Sequence, residues 1–175
     1  MDTYDAIATK LDVREFSPKH VTGEIKKKIL DAARLTGSSQ NSQHWRFLLI
    51  EERSNLKKLA LDSTSGAWVE HANFAIAILT NPKVPGYMID AGRVLQDMQL
   101  AAWNVGVASR LYIGFKEDDF RRDFGVPSEL KPTVVLGFGY PKHKTLGKEK
   151  DRKPLEELAF SEKYGNPLNF KPPVP

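Results

Sequence analysis

Phe74-Ala75-Ile76-Ala77-Ile78-Leu79-Thr80 is apolar for six residues before its closing Thr, and Asn81-Pro82 follows. A run of that length without polar alternation reads as a β-strand covered on both faces. After a loop at Pro82–Pro85, Tyr87–Val105 carries Ala91, Leu95, Met98, Ala102 and Val105 at three- and four-residue steps, the period of a one-sided helix, and Gly106 closes it. Working outward, Arg46–Glu51, Arg110–Ile113 and Thr133–Phe138 read as further strands. Thr3–Thr9, Glu24–Leu35, a helix capped by Ser54 and Glu117–Phe124 read as helices, with a last helical turn at Leu155–Ala159. In Glu24–Leu35 the spacing puts Ile25, Ile29, Ala32 and Ala33 inward and Lys26, Lys27 and Lys28 towards water, with Gly37 as a left-handed cap. The alternation predicts a mixed β-sheet covered by helices.

The chain has 175 residues, 41% hydrophobic and 27% charged, which suits one soluble domain over 1–175. Cysteine is absent, which removes disulfides, thiol nucleophiles and thiolate metal sites. No apolar run approaches the roughly 20 residues of a membrane span, and the polar start of the chain predicts a cytoplasmic protein. The net charge is +4, and Pro141–Lys153 alone holds six cations (Lys142, Lys144, Lys148, Lys150, Arg152, Lys153) against Glu149 and Asp151. That concentration predicts an anionic partner.

Common catalytic signatures are missing. His20, His44, His71 and His143 show no metal-ligand spacing, and neither a GxSxG elbow nor a GxxxxGK[ST] loop occurs. Gly137-Phe138-Gly139 follows a strand but runs into Tyr140-Pro141, which excludes a dinucleotide-binding turn. Three polar segments remain. Lys10-Leu11-Asp12-Val13-Arg14-Glu15-Phe16 can turn two cations towards one anion. Ser38-Ser39-Gln40-Asn41-Ser42-Gln43-His44-Trp45 is a turn rich in hydroxyl and amide groups. Lys150-Asp151-Arg152-Lys153-Pro154-Leu155 suits a phosphate.

In this order and at these intervals, with Asp90-Ala91-Gly92, Leu100-Ala101-Ala102, Leu111–Phe115 (LYIGF) and Gly139-Tyr140-Pro141, the segments resemble the FMN-dependent nitroreductase family over about Asp5–Glu157. Lys10–Phe16 matches its RSxRxF-like opening, Ser38–Trp45 its SSxNxQxW loop and Lys150–Leu155 its KxRxPL run. The resemblance implies an α+β fold with a mixed central β-sheet between helices (three layers, α/β/α) and a homodimer with FMN at the subunit interface. It also implies an exchanged C-terminal arm over about 155–175, a segment with no core of its own. It implies hydride transfer from NADH or NADPH through flavin N5 to nitroaromatic, quinone or related small acceptors in a ping-pong scheme, with no side chain acting as acid or base.

Residue by residue, the resemblance places Lys10, Lys150 and Arg152 at the flavin phosphate. It places Arg14 near the ribityl chain and the N1–C2=O edge, and Ser38, Ser39 and Asn41 on the partner's flavin. Ile113 and Gly114 go to the N5 edge, Gly114 with a bare backbone N–H. Asp12 stands where the family usually has Ser, either beside the phosphate or paired with Lys10 or Arg14. His44 replaces the usual Pro, and Leu11 a common basic residue. Trp103 reads as core or dimer interface, Trp45 as packing, and Trp68 as a neighbour of the pocket. Two other classes stay open: an FMN carrier or sensor without turnover, and a basic nucleic-acid-binding domain resting on charge alone.

Overall fold

A computed structural model describes residues 1–143 and 150–170. Lys144, Lys148, Glu149 and the last five residues of the expected arm lie outside the described residues. Five helices, α1 (Thr3–Thr9), α2 (Gly23–Leu35), α3 (Arg53–Leu61), α4 (Tyr87–Asn104) and α5 (Glu117–Phe124), alternate with strands β1 (Arg46–Ile50), β2 (Phe74–Thr80), β3 (Ala108–Tyr112) and β4 (Lys131–Gly139). Short 3-10 turns occupy Ser39–Asn41, Ala67–His71 and Leu155–Glu157. The sheet runs β1-β2-β4-β3 with all three ladders antiparallel. Beyond them, the segment after α1 adds one parallel bridge, Asp12 to Ser109.

Why the sheet is sandwiched follows from β2, every residue of which is buried. Phe74, Ile76 and Ile78 share one face with Val134, Leu136 and Phe138 of β4, and α2 and α4 cover it through Ile29, Ala33, Val94, Met98 and Ala102. Ala75, Ala77 and Leu79 point the other way, towards Leu56 and Leu59 of α3, Val69 and Phe120. That second face is lined with small residues because the Ala67–His71 turn lies close. A Cβ on Gly137 would sit 2.7 Å from the Trp68 ring. The glycines of the GFG run therefore make room for packing.

Local chemistry explains the ends. The Asp2 carboxylate caps α1 by accepting the Asp5 N–H at 2.8 Å, and Thr22 caps α2 by accepting from Ile25. Glu117, Asp118 and Asp119 open α5, and Gly125 closes it at φ +63°.

Three local expectations are corrected. The Ser54 cap is not formed, because α3 begins one residue earlier and Glu52 leads into it without a side-chain bond. Gly37 is not a left-handed cap: α2 ends at Thr36 in extended backbone, and Gly37 instead leaves room for Arg93, whose Nη2 a Cβ would meet at 2.7 Å. Lys26 is not solvated. It is 8% exposed, pairs with Glu51 and lies over the Phe74 ring, its methylenes covering the core edge. Among the described residues no helix is long and apolar enough to cross a membrane, and no group of His, Asp and Glu is spaced to hold a metal.

Candidate active site

The chain leaves α1 at Lys10 and becomes extended, held by Asp12 to β3 and by Phe16 to Pro141. Val13 N–H donates to the Ser109 carbonyl at 3.1 Å. Leu11 and Val13 pack on the core. In extended backbone alternate side chains face opposite ways, so Lys10, Asp12 and Arg14 lie on one side, about 13 Å from first to last, with Asp12 and Arg14 exposed and Lys10 largely covered. Lys10 Nζ contacts Asp12 Oδ1 at 2.5 Å, so of the placements open to Asp12 the structure forms the pair with Lys10.

Lys150 meets this segment from far along the chain. Its Nζ donates to the Ile7 carbonyl at 2.5 Å, in the last turn of α1, where the helix dipole favours a cation. Partial burial lowers the Lys150 pKa first, and the positive fields of Arg152 and Lys10 lower it further. Lys150 is thus near enough to feel both of the other cations assigned to that anion. Arg152 itself is exposed, and its Nη1 donates to the neighbouring Asp151 carbonyl at 2.6 Å.

At the far end of β3, Ile113 is exposed and Gly114 backs onto the loop after α3. Thr64 N–H donates to the Gly114 carbonyl at 3.0 Å, and a Cβ on Gly114 would sit 2.1 Å from Thr64 Oγ1. The close approach of Thr64 is thus a sufficient reason for glycine here. Trp68 and Tyr112 meet edge to face behind it at 6.2 Å. Burial, and then the Asp62 charge, push the Tyr112 phenol up, so it stays protonated and donates to the Leu59 carbonyl at 3.3 Å. Asp62 is itself raised, by burial first and then by Asp123 and Asp119. Its Oδ2 is buried with no hydrogen-bond partner among the described residues.

The Ser38–Gln43 loop joins α2 to β1. Gln40, Asn41 and Gln43 adopt φ of +53°, +54° and +45°, a region that costs a non-glycine residue about 1–3 kcal/mol, least for Asn. Contacts hold it there. Ser38 Oγ accepts the Gln43 N–H at 3.0 Å, and Gln43 Nε2 donates to Asn41 Oδ1 at 3.2 Å. Ser39 N–H donates to Asp90 Oδ2 at 2.9 Å, and His44 Nε2 lies 3.3 Å from the same oxygen.

The predicted residues fall into two groups. Lys10, Asp12, Arg14, Lys150, Arg152, Ile113 and Gly114 lie along the β3 side. Ser38, Ser39 and Asn41 precede β1 at the opposite sheet edge, three strand spacings or about 14 Å away. One chain does not bring them together. On the first side Arg14 opens into a cleft of about 520 Å³, lined also by Phe16, Arg53, Asn73 and Lys142. Arg53 Nη1 is fixed in its wall by the carbonyls of Glu70 and Ala72 at 3.1 and 2.7 Å. The sequence reading missed Asp90, 3% exposed, as the loop's anchor. Asp90, Arg93 and Asp97 at i, i+3 and i+7 form a polar stripe on α4, and that was the available signal. Trp103 and Trp45 are buried as expected, and Trp103 Nε1 donates to Thr9 at 2.9 Å.

Comparison with known proteins gives the family and the fold. A family model described as the nitroreductase family matches residues 7–81 and 65–140. A protein of Methanothermobacter thermautotrophicus named NADH dehydrogenase/NAD(P)H nitroreductase is 30% identical over 150 residues, 81% of this chain and 78% of its own length. A nitroreductase family protein of Clostridium difficile superposes with a TM-score of 0.83 at 26% identity, over 93% of this chain and 99% of that one. A second Clostridium difficile protein, described as an FMN-dependent nitroreductase, has a TM-score of 0.80 at 21% identity, over 89% and 96% of the two chains, a likeness of fold.

Proposed function

The chain belongs to the nitroreductase family of oxidoreductases, and from that premise we propose that it is an FMN enzyme. In this reading it takes reducing equivalents from NADH or NADPH and passes them to a nitroaromatic, quinone or related small acceptor. The observation that carries the reading is the convergence of Lys10, Lys150 and Arg152 at the end of α1. Burial first, and then the positive charges of Arg152 and Lys10, lower the Lys150 pKa; a phosphate dianion would relieve the repulsion, so the donor set fits the phosphate end of FMN. Bound there, FMN would supply hydride acceptance and donation at N5, with nicotinamide and acceptor using one space in turn.

The chain's own part is to hold and tune. Lys10, Lys150 and Arg152 neutralise the phosphate, and the Asp12 carboxylate orients the Lys10 ammonium. Arg14, outward from the same extended segment, places positive charge where the pyrimidine edge would become negative. Ile113 and Gly114 offer backbone beside N5.

Ser38, Ser39 and Asn41 complete the site from a second copy of the chain, a role supported by their distance from the other residues within one chain. The single domain would then end in an arm over about 155–175 that lies on the partner. The exposure of Tyr164 and Phe170, 93% and 80%, supports an arm made to be covered.

Comparing FMN with riboflavin tests the phosphate assignment. Two charge-assisted contacts at about 1.5–3 kcal/mol each predict FMN affinity at least about 100-fold higher; equal affinities would refute it. Oxidation of NADH or NADPH with a quinone or nitroaromatic acceptor then separates enzyme from carrier, since tight FMN binding without turnover favours the carrier.

A further inference from the structure

His44 stands between the loop and α4, 8% exposed and flanked by polar groups. Its Nδ1 lies 3.4 Å from the backbone nitrogen of Asn81. That amide can only donate, so Nδ1 must be bare and Nε2 must carry the ring proton. Nε2–H then donates to Asp90 Oδ2 at 3.3 Å, and the same oxygen accepts the Ser39 N–H at 2.9 Å. The other oxygen, Oδ1, faces Arg93 Nη1 at 3.8 Å. Two turns further along α4, Asp97 Oδ2 accepts from Thr36 Oγ1 at 2.6 Å, at the foot of the same loop. The polar stripe of α4 thus grips the segment 36–44, and Asp90 is its inner contact.

We propose that His44 and Asp90 are positioning residues for the Ser38–Gln43 loop: the His44 imidazole bridges the Asn81 amide to the Asp90 carboxylate, so that the carboxylate stays fixed on the Ser39 amide and the loop keeps its left-handed residues. The consequence for ligand binding rests on the reading that Ser38, Ser39 and Asn41 reach the partner's flavin. The physical logic is direct. Three left-handed non-glycine residues in four positions are not an intrinsic choice of the backbone. They persist where neighbours over-determine them, and this loop has one tie to buried helix through the Ser39 amide. Without the ring N–H, Asp90 keeps a single short hydrogen bond and the adjacent Arg93, and is free to turn.

The test compares wild type with His44→Leu, which removes both ring bonds at similar volume, His44→Gln, which keeps an N–H donor, and Asp90→Asn. Two quantities are read on each full-length protein: amide hydrogen exchange across 38–43 in the free protein, and the FMN dissociation constant. His44→Leu and Asp90→Asn should speed exchange of the Ser39 amide and weaken FMN binding about tenfold, the order expected when a hydrogen bond to a charged group is lost. His44→Gln should recover most of both, and the FMN-free thermal midpoints of His44→Gln and His44→Leu should differ far less than their FMN affinities. Unchanged exchange in His44→Leu would overturn the anchoring. Faster exchange with unchanged FMN affinity would overturn the positioning role while leaving the FMN reading intact. A wild-type protein that takes up no FMN would overturn that reading and this role together, with the exchange data still reporting the anchor.

Discussion

Lys150→Met is the change whose two effects should have opposite character. In the free protein the Lys150 ammonium is bonded to the Ile7 carbonyl and disfavoured by partial burial, Arg152 and Lys10. Losing the bond costs about 0.5–1.5 kcal/mol, while relief of burial and repulsion acts the other way. Stability should therefore stay within about 1 kcal/mol, a midpoint shift under about 4 °C for a chain of this size. In the complex nothing offsets the loss. One charge-assisted contact to the phosphate, about 1.5–3 kcal/mol, weakens FMN binding roughly 10- to 150-fold. The pH dependence carries a sign as well. Lys150 loses its proton below its usual 10.5, so wild-type FMN affinity should fall as pH rises through that lowered value, and the variant should lack that step. Over the window from the lowered value to 10.5 the unfolded chain holds a proton that the native chain does not. Wild-type stability should therefore rise with pH there relative to Lys150→Met. Fluorescence titration of FMN and of riboflavin, with thermal melts of the FMN-free proteins, reads all of this. An unchanged FMN constant, or an equal loss for riboflavin, would refute the reasoning.

Asp62→Asn should stabilise the protein at pH 7 by about 1 kcal/mol, because it removes a buried carboxylate with one orphaned oxygen that Asp119 and Asp123 repel. With its native pKa raised, wild-type stability should fall as pH rises from 3.8 through the raised value, a slope the variant lacks in thermal melts across that range. Gly137→Ala should destabilise by about 1–3 kcal/mol, since the new methyl meets Trp68 at 2.7 Å and Ala72 at 3.2 Å; a denaturant midpoint at or above wild type would contradict the packing described. Lys26→Ala should cost about 1 kcal/mol, and a double-mutant cycle with Glu51→Ala should assign less than that to the ion pair, because Glu51 is half exposed and most of the loss is methylene packing.

Much of the fold was legible because some signals are local. Phe74–Thr80 is too apolar to be anything but a doubly covered element, and its bounds agree with the strand observed. Glu117–Phe124 announces itself by acidic start, basic end and a following glycine, and Thr3–Thr9 by the Asp2 cap. What escaped was set by distant neighbours. Lys26 is buried because Glu51 and Phe74 arrive beside it, and Gly37 is small because Arg93 crosses it. The pairing of Lys10 with Arg14 towards one anion could be read from their spacing of four residues. The His44–Asp90 contact spans 46 positions and needed the fold. Gly114 was read through the resemblance as a bare backbone N–H, and Thr64 as its tight neighbour was not legible.

The absorption spectrum of the purified protein, saturated with FMN and freed of excess, then mixed anaerobically with NADH or NADPH, tests the central claim most directly. The account predicts a retained yellow flavin that bleaches with at least one of the two nucleotides and recolours on addition of a quinone or nitroaromatic. A protein that stays colourless after exposure to FMN, or a bound flavin that neither nucleotide bleaches, would contradict it.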